Sequence, residues 1–158
     1  MRKLHILGAA AITASVILAP LLASAQDAEE KAIGTRQGFM KIVGWEAGPL
    51  FGMAKGDIEY NADAAKKHAA NLKLISQYPV AALFLKGTSK EDRPGKTRSL
   101  PKIWADWDGF AKALGDWQAA IEGLQSKVGA GQGELAAAVG ALGKSCGGCH
   151  KPYRADKF

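Results

Sequence analysis

Five consecutive residues, Cys146-Gly147-Gly148-Cys149-His150, are where this chain can do chemistry. The C-x-x-C-H spacing is the signature of c-type haem attachment. Two thiols add to the two vinyl groups of one haem, and the histidine that follows turns its imidazole to the iron as proximal ligand. On a helix, residues three and four apart share a face, so Cys146, Cys149 and His150 can reach one haem from one side. Two other readings of the cysteines compete. A thioredoxin-like redox pair usually opens a helix after a strand, and no strand pattern precedes this one. Structural zinc asks for about four ligands, and these are the only two cysteines in the chain.

Composition and address agree with that chemistry. The 158 residues suggest one domain. Arg2 and Lys3 precede a mostly apolar run from Leu4 to Leu22, and Ala23-Ser24-Ala25 is an A-x-A cleavage site. Residues 1–25 therefore read as a cleaved secretory signal and residues 26–158 as the mature domain. An uncleaved anchor is the rival, since about 20 apolar residues span a bilayer; Pro20 and the small-residue site favour removal. Cleavage takes away two cations and no acid, so the formal charge falls from +6 to +4. That scattered charge is not the footprint of a nucleic-acid binder. No membrane association is expected after cleavage. Export would oxidise a free cysteine pair, and haem attachment uses the same two thiols, so the two readings support each other and place the protein in a bacterial periplasm.

The elements that must position the motif read as helices. Ile33, Met40, Val43, Ala47, Leu50 and Ala54 recur at helical spacing over about 27–55. Gly56 and Asp57 end that segment, and Pro49 should bend it. A second helix runs from about Ala62, capped by Asn61, to Tyr78 before Pro79. Residues 86–100, with Gly87, Pro94 and Gly95 among charges, read as a long surface loop. A third helix starts near Pro101 and carries Ile103, Trp104, Trp107, Phe110, Leu114, Trp117, Ile121, Leu124 and Val128. The fourth runs from about Glu134 through the haem motif, and Pro152 should kink or end it. One apolar stripe on each of four helices predicts an all-α fold, an antiparallel four-helix bundle with one covalently attached haem.

A haem motif nine residues from the C-terminus, at the end of such a pattern, resembles the cytochrome c′ family, the class II c-type cytochromes. The resemblance rests on Arg36-Gln37 followed by Met40, on Lys55-Gly56, on Pro101-Lys102-Ile103-Trp104 with Phe110, and on Cys146-x-x-Cys149-His150-x-x-Tyr153-Arg154. It implies one haem c near one end of the bundle and a homodimer through the first two helices. The family has a high-spin, five-coordinate branch that binds nitric oxide and carbon monoxide, and a low-spin branch with a methionine from the first helix as sixth ligand. Met40 stands at that position, so the resemblance points to the low-spin branch, with Met40 and His150 holding the iron.

The other site residues follow from the same resemblance. Arg36 would pair with a haem propionate, with Gln37 beside it. Trp104 and Phe110 would be core residues that touch the haem. Arg154 would shield the His150 side. Each has a plainer reading: Met40 as core filler, Arg36 and Gln37 as a solvated face, Arg154 as part of a basic tail. Met53 lies about 20 Å further along the first helix than Met40 and reads as core. His68, beside Lys66 and Lys67, reads as an exposed surface histidine. The expected function is one-electron transfer with redox partner proteins. The alternative is a gas-binding protein in which Met40 only walls the distal side. No distal histidine or paired acid is present for peroxide chemistry, so no enzyme is expected.

Overall fold

The computed structural model describes residues 18–158, and most of the expected signal, residues 1–25, lies outside them. Five α-helices follow in order: α1 (Leu18–Lys55), α2 (Ala62–Ser76), α3 (Lys102–Ala105), α4 (Trp107–Gln125) and α5 (Gln132–Tyr153), with a 3-10 turn at Val80–Leu83. The four long helices form a ring of neighbours in which α1 packs on α2 and α5, and α4 packs on α2 and α5. This is the antiparallel up-and-down bundle that the four stripes predict. Among the described residues no helix is long and apolar enough to cross a membrane.

The main core is aliphatic. Leu50, Leu72, Ile121, Leu124 and Leu135 are fully buried, each worth about 1.5–3 kcal/mol in water-excluded surface. Capping explains where the helices begin and stop. Asn61 accepts from the Ala64 N–H to start α2. Gly56, at φ +83°, takes the left-handed conformation just after α1. At the far end of the bundle from the motif, the Tyr60 hydroxyl donates to Val128 O and accepts from Gly131 N–H, tying two helix–helix connections together.

The fold departs from the expected pattern at four places. The α1 stripe runs through Ile33, Arg36, Phe39, Leu50 and Met53. Phe39, against Trp117 and Tyr78, takes the core position expected for Met40, which lies about 100° further round the helix. The helix continues through Pro49 without a break, with Leu50 and Met53 anchoring it on the far side. The expected third helix is two, because Asp106 leaves helical geometry at φ −134° and ψ 60° to cap α4 through the Gly109 N–H. His68 is half-buried and bonded to Glu46 across the α1–α2 seam at 2.8 Å, rather than free on the surface. That bond holds the Glu46 carboxyl below its usual range.

Candidate functional site

A second, smaller cluster of Ile103, Phe110 and Tyr153 packs at the end of the bundle that carries the motif, with Phe84, Trp104 and Cys149 against it. Beside it lies a cavity of about 450 Å³, within the range of small-molecule and cofactor sites. α1 contributes Arg36, Gln37, Met40 and Lys41; the 86–100 loop contributes Thr97, Arg98 and Ser99; α5 and the tail contribute Cys149, His150, Tyr153, Arg154 and Phe158. Phe84, Ile103, Phe110 and Leu114 make the rest of its wall apolar.

The motif sits on the last two turns of α5. Cys149 and His150 face the cavity, and Cys146, one turn back, packs on the main core. Both thiols are free. Burial pushes both thiols up, and the neighbouring Cys146 adds to the effect at Cys149. Burial, then Arg154 and Arg98, push the His150 imidazole down. A neutral imidazole keeps a lone pair for a metal. Among the described residues no group of three or more His, Cys, Asp or Glu side chains is placed to hold a metal ion by itself.

Charge in the cavity is one-sided. Arg36, Lys41, Arg98 and Arg154 line it, and among the described residues no acid does. Arg36 is 4% exposed, and burial lowers its pKa only to about 10, so it stays charged at neutral pH. Its terminal nitrogens are fully occupied. Nη1 donates to Leu83 O and Thr88 Oγ1, and Nη2 to Thr88 O and Thr97 Oγ1. Its guanidinium also lies over the Phe84 ring, 4.8 Å from the centroid. Arg36 therefore holds the 83–97 segment against α1, and it brings to the cavity a positive charge that no carboxylate neutralises. The Gln37 amide donates to Lys96 O at 2.7 Å and pins the same loop.

A haem c fits this donor set: two thiols and a neutral imidazole on one helix, an apolar wall, and cations without acids for its two carboxylates. Of the expected site residues, the structure brings Arg36, Gln37, Met40, Cys149, His150 and Arg154 together. Trp104 stands one layer back, donating from Nε1 to Phe84 O at 3.0 Å, and does not line the cavity. The loop residues Thr88, Thr97 and Arg98, with Phe158 of the tail, are parts of the site that sequence reasoning missed. The only local signal was four hydroxyl residues, Thr88, Ser89, Thr97 and Ser99, in a stretch otherwise read as surface.

Comparison with known proteins places this geometry. A family model described as Cytochrome C′ matches residues 31–154. The chain is 42% identical over 139 residues to a cytochrome c′ of Cereibacter sphaeroides, covering 87% of this chain and 91% of that relative. The solved structure of a cytochrome c′ from Rhodobacter Spheriodes matches with a TM-score of 0.79 at 40% identity, over 82% of this chain and 98% of that one. A nitric oxide complex of a mutant cytochrome c prime from Alcaligenes xylosoxidans matches with a TM-score of 0.69 at 30% identity, over 81% and 97%.

These likenesses correct the assignment to the low-spin branch. The cytochrome c′ relative and structures above carry the name of the high-spin, five-coordinate type, and the Alcaligenes xylosoxidans protein is seen holding nitric oxide; other relatives are named cytochrome c-554 and c-556. One-electron transfer through an iron held by both Met40 and His150 is therefore not the reading that stands. The helix register puts Phe39 in the core and Met40 on the wall of the cavity.

Proposed function

The chain belongs to the cytochrome c′ family, and from that premise we propose that it is a periplasmic, high-spin, five-coordinate haem protein that binds nitric oxide or carbon monoxide. It carries one covalent c-type haem with its iron, and it is an electron-transport and gas-binding carrier rather than an enzyme. In this reading residues 1–25 are removed on export, residues 26–158 are the working domain, and Cys146 and Cys149 form the thioethers. When bound, the haem would supply a ferric–ferrous couple and a site for a diatomic ligand.

The chain's own residues prepare that position. His150, held neutral by burial and by two arginines, offers its lone pair. Arg154 and Arg98 disfavour its protonation and so protect that donor. Arg36, with its terminal nitrogens already occupied, contributes charge rather than a free fork, and Lys41 and Arg154 remain to meet the haem carboxylates. Met40, Phe110 and Leu114 exclude water. The family also supports a homodimer through α1 and α2, whose exposed Ile42, Trp45 and Leu74 suit such a contact.

One observation carries the reading: among the described residues His150 is the only histidine on the cavity and no acid lines it, so the chain offers the iron one imidazole and no second histidine or carboxylate. The test is the visible spectrum of the purified ferric protein with a carbon monoxide titration of the ferrous form. A high-spin spectrum and rapid, saturable binding are expected. A low-spin, six-coordinate spectrum with binding refused or slow would reject the proposal.

A further inference from the structure

The loop and the tail that close the cavity concentrate the charge of the molecule. Residues 86–100 contain Lys86, Lys90, Arg93, Lys96 and Arg98 against Glu91 and Asp92. Residues 144–158 contain Lys144, Lys151, Arg154 and Lys157 against Asp156. Each segment is three positive charges in excess by sequence, six together; Arg93 pairs with Glu29 and Lys96 with Glu30 of α1, which leaves four on this surface. The mature chain carries only +4, so the remainder is at −2. The positive end is the end that holds His150.

Hydrogen bonds make these two segments one surface. Ala155 N–H donates to Arg98 O at 2.8 Å and Leu100 N–H to Tyr153 O at 3.0 Å, with an antiparallel bridge between Ser99 and Arg154. Arg98 donates to Asp156 O and Lys90 to Lys157 O. Both of these cations are satisfied by carbonyls, not carboxylates, so their charge is left to act outward. Phe158 stands among them, 63% exposed, with the Arg98 guanidinium 5.5 Å from its ring centroid, and it also borders the cavity. An exposed aromatic stacked on arginine inside a basic rim has the make-up of a protein-interface centre.

We propose that this surface, centred on Phe158 and Arg98, docks an acidic protein partner at the mouth of the cavity. The proposal rests on the reading that the cavity holds the haem, because docking there brings the partner to the cofactor's edge. Opposite charge raises encounter rates and sets orientation. An anionic membrane is a poorer occupant: the surface has one aromatic and no amphipathic helix, and the exposed Glu91, Asp92 and Asp156 would face lipid phosphates, whereas a protein can offer them cations.

The test uses the holoprotein and a short glutamate-rich peptide with a central leucine, titrated calorimetrically at low and at physiological ionic strength. Lys86→Glu with Lys157→Glu reverses charge on the surface; Lys66→Glu with Lys67→Glu makes the same change on α2. The surface pair should weaken the peptide about tenfold more than the α2 pair, and Phe158→Ala should remove the advantage of the central leucine over an all-glutamate peptide. Equal losses from both pairs, or no binding at low salt, would overturn the proposal. So would phosphatidylglycerol vesicles that bind the native protein and release the surface pair. Carbon monoxide binding by the same variants keeps the two readings apart: peptide binding does not depend on iron coordination, and gas binding does not depend on Lys86 or Lys157.

Discussion

The Tyr153 phenol donates to one carboxylate oxygen of Asp106 at 2.8 Å, while the other oxygen of Asp106 accepts from the Gly109 N–H at 3.2 Å. One side chain thus starts α4 and clamps the last turn of α5, the turn that carries His150. The fit is close enough that a Cβ at Gly109 would come within 2.5 Å of both partners.

Asp106→Ala should lose the cap, about 1 kcal/mol, and the clamp as well. Tyr153→Phe should lose the clamp alone. Because the two act through one bond, the double variant should be less destabilised than the sum of the singles in urea denaturation; strict additivity would show that the bond does not couple the helices. The hydrogen bond to Asp106, then burial, push the Tyr153 phenol up to about 12 from 10.0. The neutral phenol is the donor, so its contribution is complete below about pH 10 and is lost as pH rises through about 12. Tyr153→Phe should flatten that alkaline loss.

Arg36 should matter more to the loop than its place on α1 suggests. Hydrogen bonds from a charged donor contribute about 1.5–3 kcal/mol each and do not add simply. Arg36→Met, which leaves the Leu83 and Thr88 carbonyls and two hydroxyls without their donor, is expected to cost roughly 2–5 kcal/mol. It should also speed proteolysis within residues 86–100. Cleavage at the native rate would mean that the loop is held by other contacts.

How much of this could be read from the chain follows from distance along it. The motif was legible because covalent chemistry requires its spacing within five residues. The Asn61 cap and the Gly56 stop were legible because caps act over one turn. Arg36 could be singled out, but its partners Thr88 and Thr97 lie 52 and 61 residues away, and no periodicity links them. The loop therefore read as solvated when two of its threonines are buried. The break at Asp106 was hidden by an apolar stripe that continues across it. Phe39 and Met40 are adjacent apolar residues, and only packing against Trp117 decides which of them enters the core.

Attachment through the motif should show in the chemistry of the isolated protein. Changing Cys146 or Cys149 singly to Ser should leave one thioether, and changing both should give haem that acidified acetone extracts. Pyridine haemochrome spectra and extraction report this directly. Haem that stays bound in the double variant would locate the attachment elsewhere.

The α1–α2 face should set the oligomeric state. Ile42 and Trp45 on α1, Leu74 on α2 and Tyr78 just after it are 54, 76, 68 and 46% exposed, more large apolar surface than a lone pair of helices needs to leave in water. Sedimentation equilibrium should give a dimer for the native protein and a monomer for Trp45→Glu with Leu74→Glu. A native monomer at the highest concentrations would leave this face without that role.

The sharpest contrast lies between Met40 and its neighbour. Phe39 is in the core, 9% exposed, so Phe39→Ala should cost about 3–5 kcal/mol, whereas the effect of changing Met40 is read at the haem. If Met40 is a wall and not a ligand, Met40→Leu keeps most of its volume and should leave both the ferric spectrum and the potential unchanged. Met40→Ala removes the obstruction beside the haem, so carbon monoxide should associate faster. About tenfold corresponds to 1.4 kcal/mol of barrier. Stopped-flow mixing with the ferrous variants measures this. A native protein whose spectrum shifts from low-spin to high-spin on Met40→Leu would restore the thioether to the iron and remove the open position on which gas binding depends.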